Sequence, residues 1–281
     1  MLIGVVGLGL IGGSLAKAIK YCTDNTVLGC DIDLNVLLKA KLLGAIDGEL
    51  TDEKIPECDM IITGLYPQTT KDFINKNAAR FKKGAIIVDT CGVKEFVCED
   101  MWNTAKENGF VFIGAHPMAG LHYSGFEYSQ VTLFENASMI LVPSKDVNIN
   151  DLEKVKKLFL SIGFTNIQMS TPEQHDEIIA FTSQLAHIVS NAYVKSPTAK
   201  KHNGFSAGSY KDLTRVAKLN ETMWTELFLE NKDNLVTEID SIIDCLKQYS
   251  DALKAEDETK LKALLKDGRE CKEKIDGDYN D

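Results

Sequence analysis

His116 stands in Gly114-Ala115-His116-Pro117-Met118-Ala119-Gly120, directly after the apolar run Phe110 to Ile113. An imidazole at a strand-to-loop edge, with small residues beside it, is where a parallel sheet presents an acid or a base. The alternative is a loop histidine satisfied by backbone groups. A second histidine, His187, falls within Ile178 to Val194, a stretch without a charged residue. Spacings of three and four align Ser183, His187, Ser190 and Asn191 in one polar stripe of a helix. Such a stripe lines a cleft or meets another polar surface, unless His187 is a hydrogen-bonded core residue. Arginine is scarce, with Arg80, Arg215 and Arg269 the only three among 31 basic residues. Arg215 closes Lys211-Asp212-Leu213-Thr214-Arg215 after the flexible Gly204 to Gly208. Its planar guanidinium suits bidentate capture of a carboxylate, or else an exposed helix pair with Asp212.

The elements that must position these groups begin at the N-terminus. Leu2-Ile3-Gly4-Val5-Val6 reads as a buried strand, and Gly7-Leu8-Gly9-Leu10-Ile11-Gly12-Gly13-Ser14 follows at once. Strand, glycine turn and helix start form a dinucleotide site: Gly7 for the tight turn, Gly9 for close approach of a pyrophosphate, Gly12 for helix packing on the sheet. Gly7, Gly9, Leu10, Ile11 and Gly12 are the expected cofactor-binding residues, with the helix N-terminus facing the phosphates. Val27 to Cys30 is a second strand, and Asp31 ends it where an acid binds a ribose 2′-hydroxyl. A carboxylate there repels a 2′-phosphate and favours NAD over NADP; Asp33 competes for the role.

The strand and helix rhythm continues through Met60 to Thr63, Ala85 to Asp89, Phe110 to Ile113, Met139 to Val142 and Thr165 to Met169, with amphipathic segments such as Thr70 to Phe81, Lys94 to Asn108 and Asp151 to Ile162 between strands. The expected fold class is α/β, a Rossmann-type doubly wound, mostly parallel sheet over residues 1–170, followed by an all-helical domain over 171–281. Thr171 can cap, and Pro172 suits the first position of a helix running to Val194; Lys211 to Leu219, Thr222 to Tyr249 and Glu256 to Ile275 follow as helices.

The formal charge of −10 opposes nucleic acid as a partner. Seven cysteines without CxxC or Cys/His spacing fit reduced thiols and no metal site. No targeting peptide is apparent, and cytoplasmic placement is expected. Ile178 to Val194 carries Thr182, Gln184 and His187 and falls short of a span of about 20 apolar residues, so it reads as a buried helix and not a membrane segment.

Gly7 to Ser14, the segment Gly114 to Gly120 continuing to Ser124-Gly125, then Ser183-Gln184-Leu185-Ala186-His187 and Asp212-Leu213-Thr214-Arg215, together resemble the prephenate dehydrogenase family. The resemblance spans nearly the whole chain. It implies a homodimer joined through the helical domain, and NAD-dependent oxidative decarboxylation of prephenate to 4-hydroxyphenylpyruvate in tyrosine biosynthesis. It further implies His116 as catalytic base, and His187, Ser183, Arg215, His122 and Trp224 as substrate-binding residues. For Trp224, ordinary helix packing is the alternative reading.

Two positions depart from the family pattern. The common Asp-x-Gly-Ser-Val-Lys is here Asp89-Thr90-Cys91-Gly92-Val93-Lys94, so the serine near the reacting hydroxyl is lost at Gly92. Cys91, Thr90 or a backbone amide is left to compensate; Cys91 joins the expected cofactor-binding set, and Lys94 is equally a solvated helix residue. His122 replaces an acid found in some relatives, which favours prephenate over the ammonium-bearing arogenate. An appended regulatory ACT domain of the kind some relatives carry is not expected. Arogenate dehydrogenase is the nearest alternative. A β-hydroxyacid dehydrogenase and a non-catalytic NAD-sensing module are the others.

Overall fold

The computed structural model describes residues 1–121 and 123–277. Strands β1 (Leu2–Val6), β2 (Thr26–Cys30), β3 (Gly48–Glu49), β4 (Met60–Thr63), β5 (Ile86–Asp89), β6 (Val111–Pro117), β7 (Ser138–Pro143) and β8 (Asn166–Met169) form one sheet in the order β3-β2-β1-β4-β5-β6-β7-β8. Every pairing is parallel except β6 with β7. The order reverses between β1 and β4, the switch point at which doubly wound sheets bind ligands. Interleaved are α1 (Leu10–Cys22), α2 (Leu34–Leu42), α3 (Pro67–Asn77), α4 (Glu95–Asn108) and α5 (Ile149–Ser161).

Alternation along the strands builds two cores. Ile3, Val5, Met60, Ile62, Ile86, Val88, Ile113 and Ala115 join one with Leu15, Ile19, Val155 and Phe159 of α1 and α5. Val6, Ile61, Ile87 and Phe112 join the other with Ile74, Val97 and Met101 of α3 and α4. Because side chains alternate with period two, His116 falls on the same face as Phe112, toward α4.

Two helical elements differ from the sequence expectation. The run after Thr171 is α6 (Pro172–Ile179), a π-helical turn over Ala180–Leu185 and α7 (Ala186–Tyr193). Ile178 and Phe181 keep 49% and 56% exposure, so this segment is buried on one side only. After α8 (Gly208–Thr214), the helix expected over 222–249 is broken into α9 (Glu221–Glu230) and α10 (Lys232–Lys254) at Asn231, whose buried amide donates to Asp176 O (2.8 Å) and Gln184 Oε1 (2.9 Å). Residues 1–231 form one compact unit. Residues from 232 onward form a second, in which α10 and α11 (Glu258–Gly277) make a helical hairpin with Tyr249 Oη donating to Leu264 O (3.2 Å). No described helix is long and apolar enough to cross a membrane.

The switch point is closed by glycines. Gly7 has φ +82°, and a Cβ on it would lie 2.7 Å from Gly64 O; a Cβ on Gly12 would overlap the Gly7 carbonyl. At Gly9 an added Cβ meets nothing within 4 Å. Gly12→Ala should therefore lower stability in urea titration by about 2 kcal/mol or more, whereas Gly9→Ala should cost less than about 1 kcal/mol, the size of a weakened N-cap.

Candidate active site

The glycine turn is held open from both sides. Gly7 N–H donates to Cys30 O (2.9 Å), Gly64 N–H to Val6 O (2.7 Å) and Leu8 N–H to Asp31 Oδ2 (2.7 Å). Gly9 sits at the N-cap of α1 with no side-chain cap, so Leu10 and Ile11 open the helix at an electropositive, ligand-accessible end. Asp31 also accepts from Asp33 N–H through Oδ1 (2.9 Å), and it stays half-buried at the end of β2. Asp33 instead caps α2 by accepting from Asn35 N–H (2.8 Å).

At the opposite side of the sheet the strand carrying His116 runs longer than its apolar stretch suggests. β6 continues through Pro117 because β7 pairs with it, His116 opposite Ile140, while β5 leaves it at Ile113. His116 thus lies inside a strand, not in the loop after one. Past Ile113 the side facing β5 is completed by side chains: Asp89, the last residue of β5, accepts Ala115 N–H through Oδ1 (3.0 Å) and Cys91 N–H through Oδ2 (2.9 Å). Lys94 Nζ pairs with Asp89 Oδ2 and donates to Ala115 O (2.7 Å). Lys94 has no solvent exposure, which corrects its reading as a solvated helix residue. Burial alone would lower its ammonium pKa, but Asp89 outweighs it and holds the value above the ordinary range.

Neither Thr90 nor Cys91 bonds toward His116. Thr90 Oγ1 donates to Thr63 O (2.9 Å), and the Cys91 thiol is buried against Leu65 O (3.7 Å) and Thr70 Oγ1 (3.5 Å). Burial first, and then Asp89, push that thiol well above its usual pKa, so it remains a neutral packing group. A Cβ at Gly92 would lie 3.4 Å from Leu227 and 3.9 Å from His116 Cε1.

What holds the His116 ring is a pair that the sequence analysis passed over. His116 Nδ1 lies 2.9 Å from His175 Nε2, and His175 Nδ1 lies 2.6 Å from Asp176 Oδ1. The Asp176 carboxylate also accepts Lys94 N–H (2.8 Å) and Glu95 N–H (2.9 Å), anchoring the start of α4. Burial, then His175, then Lys94 depress the His116 pKa well below 6.5, and burial lowers that of His175 against the pull of Asp176.

The remaining candidates gather around α7 and α9. His187 Nδ1–H donates to Ser183 O (2.8 Å), which closes the π-helical turn, and the ring packs on Trp224 at 4.1 Å between centroids. Trp224 and Leu227 are three residues apart on α9, so one helical turn links the His187 ring to the Gly92 edge of His116. Asn191 Nδ2 donates to Ala217 O (3.0 Å), and the Ser190 hydroxyl is buried without a partner among the described residues. Arg215 is exposed just beyond α8 and, among the described residues, makes no ion pair, so the helix pair with Asp212 is not formed. His122 lies outside the described residues. Among those described, no cluster of His, Cys, Asp and Glu could hold a metal ion.

Residues 15–167 match the family model described as the prephenate dehydrogenase nucleotide-binding domain, and residues 171–267 match the one described as its dimerization domain. The chain belongs to the prephenate dehydrogenase family. It is similar to Bacillus subtilis prephenate dehydrogenase, with 28% identity over 96% of this chain and 74% of that protein. The structure resembles that of A. aeolicus prephenate dehydrogenase in complex with hydroxyphenyl propionate and NAD+, with TM-score 0.85, 30% identity and 98% of each chain covered. It also resembles Synechocystis arogenate dehydrogenase, with TM-score 0.82, 25% identity, 98% of this chain and 100% of that one. As a member of this family the chain is an oxidoreductase.

The Asp89–Lys94 pair holds the backbone that carries His116. Lys94→Met should destabilise the protein by about 3–5 kcal/mol in urea unfolding at neutral pH, because the Asp89 carboxylate is left buried without its counter-charge. A smaller loss in Asp89→Asn/Lys94→Met than in the single variant would identify the stranded charge as the cause.

Proposed function

We propose that this protein oxidatively decarboxylates prephenate to 4-hydroxyphenylpyruvate with NAD, a step of tyrosine synthesis, and works as a homodimer. Residues 1–170 bind the dinucleotide and 171–281 bind substrate and the second subunit. The carrying observation is His116 itself: a buried-edge imidazole, neutral near pH 7, with Nδ1 engaged and Nε2 left to face substrate.

The cradle fits a dinucleotide. The space beside Gly9 is clear, and the amides of Leu10 and Ile11 start a helix with no side-chain cap, which suits a pyrophosphate. Asp31 is the acid at the end of β2 and faces the ribose hydroxyls, and its charge disfavours the 2′-phosphate of NADP. When bound, the nicotinamide supplies the hydride acceptor. His116 Nε2 takes the proton of the hydroxyl on the carbon that loses hydride, so that its oxygen gains carbonyl character; departure of the ring carboxylate as CO2 returns an electron pair through the ring to that oxygen, which recovers the proton as the phenol of the product. His187, fixed by Ser183 and Trp224, and the Ser183 hydroxyl orient the substrate; Arg215 grips a carboxylate. Cys91 would contribute to cofactor binding through its backbone only, since its thiol faces the core.

Charge supports prephenate over arogenate. Between residues 195 and 218 the chain carries Lys195, Lys200, Lys201, Lys211, Arg215 and Lys218 against a single acid, Asp212, and all six cations are exposed. In a chain of net charge −10 this segment is the attractive surface for a dianion. Arogenate keeps both carboxylates but adds an ammonium, for which this cationic surface is the wrong neighbour. Following reduced nicotinamide by absorbance, kcat/KM for prephenate should exceed that for arogenate at least about fivefold, the effect of one unmatched polar group of about 1–3 kcal/mol, and should fall more steeply with added salt. Equal or better turnover of arogenate would reverse the substrate assignment, and turnover of neither would sink the reaction.

The base assignment has its own test. His116→Asn should lower kcat by about 10²–10⁴-fold and leave NAD affinity unchanged. A base works unprotonated, so kcat/KM rises with pH through the His116 pKa; that pKa is held well below 6.5, and the acid limb of the wild-type profile should lie below pH 6.5 and vanish in the variant. Near-native kcat in His116→Asn would exclude the role.

A further inference from the structure

The reading of His116 as base leaves open what selects the nitrogen that does the work. A neutral imidazole carries one N–H and one lone pair, and the wrong tautomer presents substrate with a donor in place of an acceptor. Gly92 supplies no hydroxyl, and Thr90 and Cys91 face Thr63 and the core.

We propose that His175 is the positioning residue for His116, setting its tautomer through a relay that starts at Asp176. The logic runs along the hydrogen bonds. The Asp176 carboxylate accepts Lys94 N–H and Glu95 N–H and has only acceptor capacity for His175, so His175 Nδ1 carries the proton. His175 Nε2 is then an acceptor, and His116 Nδ1–H donates to it across 2.9 Å. That leaves the lone pair on His116 Nε2, directed away from the relay. Burial keeps both rings neutral, the state in which this alternation is forced. When His116 gains the substrate proton, its Nδ1–H bond to a ring backed by a carboxylate strengthens, so the same contact that orients the base stabilises its protonated form.

His175 is itself tightly fixed. It and Asp176 are buried, with 2% and 1% exposure, and Asp176 O accepts from Asn231 Nδ2 (2.8 Å). Gly92 lies outside the left-handed φ region, and a Cβ there meets Leu227 only at ordinary contact distance, 3.4 Å. A serine at that position can therefore be accommodated with its Cβ 3.9 Å from His116 Cε1, which allows a rescue experiment.

The proposal rests on the assignment of His116 as base, yet part of its test needs no substrate. In resting wild-type protein, imidazole nitrogen NMR shifts should show His116 protonated at Nδ1 and unprotonated at Nε2, and His175→Ala should give a mixture of both tautomers. With prephenate and NAD, His175→Ala should lower kcat about 10²-fold, as a misplaced base does, with KM and NAD affinity unchanged. His175→Gln, whose Oε1 can accept at the place of Nε2, should recover most of that loss, and Gly92→Ser in the His175→Ala background should recover part of it. Should His175→Ala fold poorly, His175→Gln alone decides through its NMR signature. An Nε2-protonated His116 in wild type, or kcat in His175→Ala equal to wild type, overturns the relay; so does a glutamine variant as slow as the alanine one. A wild type with the expected tautomer but no turnover would instead count against the reaction.

Discussion

A lysine ammonium with no solvent exposure is stable only where a carboxylate and a carbonyl answer it, and among the described residues that condition is met at the end of β5. Lys94 reaches back from the start of α4 to Asp89 and Ala115 O, and Asp89 in turn takes the N–H groups of Ala115 and Cys91. The consequence is geometric. β6 outruns β5 by four residues, and backbone groups that a parallel neighbour would have paired are satisfied by two charged side chains instead. The strand end that carries His116 is thereby rigid while one of its flanks is open, a combination that an ordinary ladder could not give. Removing one member of the pair would expose the cost of burying the other ion alone, which exceeds the net worth of the pair itself.

The His116 ring is also tied to the helices that follow the sheet. His175 and Asp176 belong to α6, and Asp176 closes the start of α4 by accepting Lys94 and Glu95 N–H. Within residues 1–231, one residue, Asp176, thus fixes a helix N-terminus and a histidine tautomer through its carboxylate and, through its backbone carbonyl, holds Asn231 at the end of α9. The π-helical turn over Ala180–Leu185 has a matching cause: Gln184 is drawn inward to Asn231 Nδ2 and Leu227 O, while His187 bonds back to Ser183 O. His116, His175, Asp176, Asn231 and Gln184 are thus joined by one connected set of polar contacts, and His187 is fixed beside it on the same π-helical turn.

Local spacing made much of this legible. The glycine turn, the strand alternation, the Thr171 cap and the run of helices after it follow from short-range patterns, whereas the regular helix on which the His187 stripe rests is interrupted by the π-helical turn and α6–α9 belong to the same compact unit as the sheet. What escaped was long-range. The extension of β6 depends on antiparallel β7, and nothing in Gly114 to Pro117 states which neighbour pairs there. Lys94 sits beside a helix start, where a lysine is ordinarily solvated, and only the approach of Asp89 reverses that. His175 and Asp176 did leave a signal: Pro172, His175, Asp176 and Ile179 fall at spacings of three and four and are all buried, so two ionisable residues occupy the apolar face of α6. Polar residues in that register need partners, and their partners are 59 and 82 positions away.

Electrostatics then divides the molecule by task. The acids of a chain with net charge −10 cannot attract a dianion, and a uniform distribution would slow its approach. Concentrating six exposed cations between residues 195 and 218 reverses the local sign where Arg215 stands, while His116 is kept neutral by burial, His175 and Lys94. A protonated base there would bind the same anion more tightly and be unable to accept its proton. In the proposed reaction, separating capture, by exposed permanent cations on α8 and its flanks, from proton transfer, by a half-buried neutral ring on β6, lets each operate at the same pH without weakening the other.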